Sequence, residues 1–365
     1  MGLKHLQSHT YVAIMAGGIG SRFWPVSRVG YPKQFIDILG SGRTLIQQTF
    51  DRFRKIIPVE NIFVVTAKEY AGITADQLPG LPKENIIAEP FRKNTAPCVA
   101  YISFKLLQKD PEAALIVAPA DHLILDEDRF LELCDEAISF ATQASALVTL
   151  GIKPTYPNTG YGYIQHEDEE AAPAVHKVKT FTEKPNLELA KTFISSGDFL
   201  WNSGIFIWKL ACITDAFRLH LPEMFDLFSG EQQRLNTNEE SAAIESIYPL
   251  CTSISIDFGI LEKASNVYVI PASFGWSDLG TWNSAWENME KDYWENAVVG
   301  SKVMVVDATK CVVHTADEKL VVLQGLDNFI IVDTKDVLLI CQKEKEQEIK
   351  EYVGEVKRNM GDKYL

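Results

Sequence analysis

The first two-thirds of the chain alternates short apolar runs with amphipathic stretches. Residues 11–16 form a β-rich run that breaks at Gly17-Gly18. Residues 44–56 place Leu45, Ile46, Thr49, Phe50 and Phe53 at helical spacing, with Thr44 in position to cap. A strand is predicted over 61–66, a helix over 95–109, and a strand over 114–118 that runs into Pro119-Ala120-Asp121-His122. A helix over 128–144 and a strand over 146–151 follow. Wholly apolar strands alternating with helices predict an α/β domain whose parallel sheet is covered on both faces. Ligands of such sheets sit beyond the carboxyl ends of the strands, where Gly17-Gly18 and Asp121 both fall.

After Asn296 the pattern changes. Residues 298–306, 310–315, 319–323, 329–333 and 337–341 read as five short strands divided by polar turns, and a charged helix is predicted over 343–356. This predicts a catalytic domain over 1–290 and a small β domain over 291–365, either a β-helix or a sandwich. Val298, Val303, Val305, Val312, Val321, Ile330 and Val337 are its expected core. With no cluster of chemical residues in it, a stability or oligomerisation module is the expected role. Trp276, Trp282, Trp286 and Trp294 are expected to be mostly core, with Trp282 and Trp286 on one helix face.

Composition narrows the function classes. The 365 residues suffice for two domains. With 49 acidic and 35 basic residues the net charge is −14, which argues against a broad nucleic-acid or anionic-membrane face. A local pocket for an anion stays open. The six cysteines (Cys98, Cys134, Cys212, Cys251, Cys311, Cys341) show no Cys-x-x-Cys pair and read as reduced core thiols. Residues 1–10 are too polar for a signal peptide. No apolar run reaches the roughly 18 residues that span a bilayer, so a cytoplasmic location is expected.

The chemistry begins in the loop Ala16-Gly17-Gly18-Ile19-Gly20-Ser21-Arg22-Phe23-Trp24-Pro25, continued by Pro32-Lys33-Gln34. Glycines let backbone N–H groups close on phosphate oxygens, and a following helix N-terminus would add a favourable dipole. Arg22 offers a planar fork and Lys33 a point charge. Phe23 occupies the third glycine position of a dinucleotide fingerprint, and no Gly-Lys-Ser/Thr follows, so neither a Rossmann nor a Walker loop fits.

The run from Ala16 to Gln34 resembles the signature of nucleotidyltransferases that make sugar nucleotides, in the variant of mannose-1-phosphate guanylyltransferases. The resemblance continues through Glu89-Pro90, Asn94-Thr95-Ala96-Pro97, Pro119-Ala120-Asp121-His122, Gly160-Tyr161-Gly162, Glu183-Lys184-Pro185, Trp201-Asn202-Ser203, Ser255-Ile256-Asp257-Phe258-Gly259 and Trp276-Ser277-Asp278-Leu279-Gly280. It implies a Rossmann-like, mixed but mostly parallel sheet flanked by helices, the nucleotide-diphospho-sugar transferase fold, followed by a short β-helix. The implied reaction joins GTP and mannose 1-phosphate to give GDP-mannose and pyrophosphate, with Mg²⁺ as cofactor and a homodimer as the assembly. The same chemistry on another sugar or base, and a non-catalytic sensing subunit, are the alternatives. Some relatives continue into a cupin domain that isomerises mannose 6-phosphate. The chain ends at Leu365, so no isomerase activity is expected.

Site residues follow from the same resemblance. Ala16, Gly17, Gly18, Gly20, Ser21, Arg22, Glu89, Asn94, Thr95, Ala96 and Asp121 are the implied nucleotide-binding residues, with guanine selection in residues 89–96. Gly162, Glu183, Lys184 and Asn202 are the implied sugar-binding set. Asp121 and Asp278 are the implied Mg²⁺ ligands; read alone, either could be a cap or turn residue. Arg22, Lys33, Lys184, Asp121 and Asp278 are the implied catalytic groups, and His122 is structural. The residues also have readings of their own. Glu183 and Lys184 on an extended segment should point opposite ways, which disfavours a salt bridge between them. The Asn202 amide, in an apolar stretch, must be satisfied by backbone or by a ligand hydroxyl. Gly160 and Gly162 permit close ligand approach or mark a plain hairpin. Asn94 is also a good helix cap.

Overall fold

The computed structural model describes residues 9–316 and 319–365, so most of the polar segment 1–10 lies outside the described residues. The chain divides into two compact units: Met1–Gly17, Phe50–Pro119 and Ile124–Trp276 form one, and Gly18–Thr49, Ala120–Leu123 and Ser277–Leu365 the other. The division does not follow chain order. Residues from the glycine-rich loop group with the C-terminal strands.

The first unit is built on a nine-stranded sheet. Its order is Ile86–Glu89, Ile62–Ala67, Thr10–Ala16, Ala114–Pro119, Phe199–Lys209, Leu147–Ile152, Val267–Ala272, Val175–Glu183, Gly162–Ala172. Only Phe199–Lys209 and Val175–Glu183 run against the rest, so the sheet is mixed but mostly parallel. The predicted strands at 11–16, 61–66, 114–118 and 146–151 are all present, and the four central ones are apolar on both faces because helices cover them. The helix Thr95–Lys109 has the predicted bounds and packs against the helices Leu210–His220 and Pro222–Glu231 through Phe104, Phe225 and Phe228. Glu127–Ala144 starts one residue early because the Asp126 carboxylate caps it, accepting from Arg129 N at 3.0 Å.

The hairpin Gly162–Ala172/Val175–Glu183 and the strand Phe199–Lys209 are not marked by local periodicity. Their polar residues follow no clean alternation. Their register nevertheless places the sugar candidates: Gly162 lies opposite Glu183, Tyr163 opposite both Thr182 and Trp201, and Gly151 opposite Asn202.

In the second unit, Ala297–Val299, Val312–Thr315 and Phe329–Asp333 stack in parallel, with Leu338–Gln342 closing antiparallel. Val303–Val306 and Val321–Gln324 make a second parallel ladder. Successive turns returning in parallel register are the pattern of a β-helix, which decides against a sandwich of hairpins. Val312 and Ile330 are fully buried, and Val303, Val305, Val321 and Val337 are partly buried against the cores. Val298 is a correction: it is 37% exposed, because alternation turns it outward beside the fully buried Ala297. Trp294 is another, 60% exposed in a turn held by the Asp292 carboxylate, while Trp282 is fully buried in the helix Trp282–Asn288. The charged segment 343–356 is a 3₁₀ stretch, Lys343–Glu348, followed by the helix Ile349–Met360. One core contains Phe23, Trp24, Ile36 and Ile38 together with Trp282, Val312, Ile330 and Val332. The loop and the β-helix therefore fold as one body. The six cysteines are free thiols, five buried and Cys212 half-buried.

Candidate active site

The phosphate loop leaves the strand Thr10–Ala16, whose last carbonyl, Ala16 O, accepts from Thr66 Oγ1 at 2.8 Å. Gly17 and Gly18 have open space where a side chain would stand. Gly20 does not: its φ is +70°, and an added Cβ would lie 2.3 Å from Lys33 Cβ. Instead of a long helix, the loop runs into one 3₁₀ turn, Ser21–Phe23. Any help from a helix dipole is confined to that turn.

Lys33 is 3% exposed, its backbone N–H bonded to Ile19 O at 3.1 Å. Its ammonium donates to Asp121 Oδ2 at 2.9 Å and to the carbonyl of Asp278 at 2.6 Å. Three predicted catalytic residues, far apart in sequence, thus converge. An ammonium has three donors, and these contacts use two. Burial opposes ionisation of Asp121, but the charges of Lys33 and His122 and the Lys33 hydrogen bond outweigh it and hold the carboxyl below its ordinary value. His122 Nε2 stands 3.9 Å from Asp121 Oδ1, in keeping with a supporting role. The Asp278 carboxylate accepts from Gly280 N at 2.9 Å, a local turn.

These residues suit magnesium. Among the described residues no cluster of three or more His, Cys, Asp or Glu is placed to hold a metal. Mg²⁺ does not need one, since it characteristically takes one or two carboxylates and completes its shell with water and substrate phosphate. The Asp121 carboxylate beside Lys33 and the Asp278 carboxylate in its turn, whose backbone carbonyl meets the same lysine, are oxygen donors of that class.

In the first unit, the residues 89–96 divide their roles. The Glu89 carboxylate, 5% exposed, turns into the protein and accepts from Cys98 Sγ at 2.8 Å and from the Tyr248 hydroxyl. Burial pushes its carboxyl above the ordinary range, against those donors and Arg92. Glu89 therefore acts on the loop from beneath. Asn94 holds φ +66° and caps the following helix by accepting from Thr95 N at 2.9 Å. Thr95 Oγ1 accepts from Ile256 N at 2.8 Å, and Ala96 N donates to Ile254 O at 3.1 Å. Two sequence blocks 161 residues apart are pinned together by this exchange.

The sugar candidates also gather in the first unit. An added Cβ on Gly162 would meet Glu183 Oε2 at 2.8 Å and Asn202 Cβ at 3.5 Å, so the missing side chain lets Glu183 and Asn202 close on this glycine and brings the three residues together. Lys184 pairs directly with Glu183, contrary to the extended-strand expectation. The reason is local: Lys184 has φ +44°, which leaves the extended conformation and swings its side chain to that of its neighbour. The Asn202 amide is satisfied twice over, accepting from Gly204 N at 3.1 Å and donating to Asp257 Oδ1 at 2.8 Å. Asp257, the partner of that amide, is a candidate site residue that sequence reasoning leaves without a role. Its signal was the Ser-Ile-Asp-Phe-Gly block, whose meaning appears only when Asn202 is beside it. Burial raises the Asp257 carboxyl, partly offset by the Asn202 amide. Tyr161 stands edge-on to Trp201 at 5.1 Å and to Trp276 at 5.3 Å, an aromatic wall next to Gly162.

Comparison with known proteins agrees with this arrangement. Residues 11–294 match the family model described as nucleotidyl transferase, and residues 301–356 match that of the mannose-phosphate isomerase/GMP-like β-helix domain. A mannose-1-phosphate guanylyltransferase of Salmonella montevideo is 37% identical over 352 residues, covering 94% of this chain and 73% of the relative. One of Escherichia coli is 34% identical over 96% of this chain and 74% of its own length. The alginate biosynthesis protein AlgA of Pseudomonas putida is 36% identical over 93% and 70%. A solved structure from Thermus thermophilus, described as a mannose-1-phosphate geranyltransferase, superposes with a TM-score of 0.86 at 30% identity, covering 96% of this chain and 99% of that one. With its catalytic-type sheet, its phosphate loop and its β-helix all matched, the chain belongs to the nucleotidyl transferase family and is a nucleotidyltransferase enzyme.

Proposed function

We propose that this chain transfers GMP from GTP to α-D-mannose 1-phosphate, giving GDP-mannose and pyrophosphate. The observation that carries the reading is the buried Lys33, held between the Asp121 carboxylate and the Asp278 carbonyl, two contacts among the described residues for an ammonium with three donors. A cation so fixed is suited to meet charge developing on phosphate oxygens. The mannose and guanine assignments rest on the similarity to the named guanylyltransferases.

In the proposed reaction an oxygen of the sugar phosphate attacks the α-phosphorus in line, and pyrophosphate leaves on the opposite side. No covalent enzyme intermediate is required, so the side chains work by placement and charge. Backbone N–H groups of Gly17, Gly18, Gly20 and Ser21 and the Arg22 guanidinium would receive the triphosphate. Asp121 and Asp278 would hold Mg²⁺, which when bound supplies charge neutralisation on phosphate oxygens. Glu183 would accept from sugar hydroxyls and the Asn202 amide would hydrogen-bond to them, with Gly162 letting both side chains approach one another. Lys184 would exchange its pairing with Glu183 for the sugar phosphate. Asn94, Thr95 and Ala96 would frame the nucleotide.

The test is a panel of nucleoside triphosphates and sugar 1-phosphates with purified protein and Mg²⁺, read by pyrophosphate release. GTP with mannose 1-phosphate should give the highest kcat/KM. Equal use of UTP or dTTP, or of glucose 1-phosphate, would overturn the assignment while leaving the chemistry intact.

A further inference from the structure

Among its described residues the β-helix carries no cluster of His, Cys, Asp or Glu placed to hold a metal, yet within the second unit it and the segment after it grip the glycine-rich loop at three points. Arg28 donates Nη1 to Asp336 Oδ2 at 2.8 Å, and Nη2 to Asp336 Oδ1 at 2.5 Å and Thr334 Oγ1 at 3.3 Å; its Nε donates to Pro25 O at 2.9 Å. Trp24 Nε1 donates to Tyr364 O at 2.7 Å. Arg22 donates Nε to Gln347 Oε1 at 3.1 Å. The residue next to Gln347, Glu346, accepts from Asn283 N at 2.8 Å, just after the Asp278–Gly280 turn. Burial raises the Glu346 carboxyl, and the field of Arg22 is among the influences opposing it.

The two arginines have partners of different kinds. Arg28 meets a carboxylate in a bidentate fork, which consumes its charge and most of its donors in fastening the loop. Among the described residues Arg22 meets a neutral amide, through Nε. Such a bond fixes the plane of the guanidinium without neutralising it and leaves the four Nη–H donors for an anion. A carboxylate at residue 347 would instead hold Arg22 in an ion pair that any phosphate must break.

We propose that Gln347 is a positioning residue for Arg22, so that the C-terminal segment orients the guanidinium that receives the triphosphate. The inference rests on the triphosphate-binding reading of the loop, though not on its choice of base or sugar. Fixing the guanidinium before the ligand arrives removes rotamer entropy from binding, a cost that is large for a free arginine.

The test uses the full chain and its Gln347→Ala, Gln347→Met, Gln347→Glu and Arg22→Ala variants, together with Gln347→Ala/Arg22→Ala. The probe is inorganic tripolyphosphate with Mg²⁺ by titration calorimetry, alongside steady-state kinetics. Gln347→Ala and Gln347→Met should each weaken tripolyphosphate and lower kcat/KM for the triphosphate by about 10-fold, with KM for the sugar phosphate and Tm nearly unchanged. Gln347→Glu should be at least as damaging at pH 8 and should recover as pH falls toward an ordinary carboxyl value near 4.3, where the new ion pair is lost. In the Arg22→Ala background, Gln347→Ala should have no further effect. Unchanged tripolyphosphate affinity in both neutral variants, or an effect undiminished without Arg22, would refute the role. Active wild type with those results refutes the positioning alone; wild type that binds no tripolyphosphate and turns over no triphosphate brings down the loop reading and the inference with it.

Discussion

Replacing Gly20 by alanine probes the phosphate loop most directly. Gly20 sits at φ +70°, where a side chain costs about 1–2 kcal/mol. The new Cβ would stand 2.3 Å from Lys33 Cβ, whereas nonbonded carbons settle near 3.5–4.0 Å, so one of the two must retreat by more than about 1 Å. The clash falls on the base of the lysine and not on a flexible tip, and overpacking of this kind adds about 1–3 kcal/mol. Lys33 cannot move that far and keep its 2.9 Å bond to Asp121 and its 2.6 Å bond to the Asp278 carbonyl. A displacement near 1 Å at a charge-stabilising group corresponds to a loss of about 10²-fold in rate. The assay is kcat/KM for the triphosphate by pyrophosphate release, beside urea denaturation of the same preparation. Gly18→Ala is the internal control: its Cβ meets open space, so stability should hold within about 0.5 kcal/mol while triphosphate KM rises if backbone and phosphate approach closely there. A Gly20→Ala protein within about threefold of wild type in kcat/KM would refute the coupling of this glycine to Lys33.

Three further outcomes are expected. Asp257→Ala frees the Asn202 amide and should raise KM for the sugar 1-phosphate about 10-fold with little change for the triphosphate; the opposite pattern would remove Asp257 from the sugar site. Because burial raises the Glu89 carboxyl, its neutral form is favoured in the folded protein: the stability it contributes is complete below the ordinary value of 4.5 and is lost as pH rises through the raised one. Glu89→Gln should therefore gain Tm relative to wild type as pH rises above 4.5, and a pH-independent difference would contradict that sign. Chelation with EDTA should abolish product formation and added Mg²⁺ should restore it, with Asp278→Asn needing more metal for half-maximal rate; full activity in EDTA would dismiss the metal assignment.

Much of the site was legible as residue types. The glycines, Arg22 and Lys33 pointed to phosphate over a plain tight turn because two cations follow the glycines in a strand-ending loop. Asn94 was legible as a cap from its place at a helix start, whereas Asp121 read alone was as good a turn residue and gained a role only from the family resemblance. The pairing of Glu183 with Lys184 was misjudged because a single positive φ at Lys184 reverses the geometry of an extended segment, and nothing in the surrounding residues marks it. Asp257 could not be assigned by spacing, since its meaning lies in an amide 55 residues away. Gln347 is more extreme, an exposed polar residue in a charged stretch whose partner is 325 residues distant.

From the sequence alone came the strand–helix alternation of an α/β sheet, the short apolar strands of a β domain left open between β-helix and sandwich, and the inventory of cations and carboxylates. Those are consequences of local periodicity and side-chain chemistry, which act over a few residues. Only the tertiary structure decided which of them meet. It set Lys33 between residues 88 and 245 positions away, buried Glu89 against Tyr248, and fastened the phosphate loop to the C-terminal segment. The physical reason is that hydrogen bonds and ion pairs reach about 3 Å in space but have no fixed reach along the chain. Strand register and a shared hydrophobic core place those distant groups within that range.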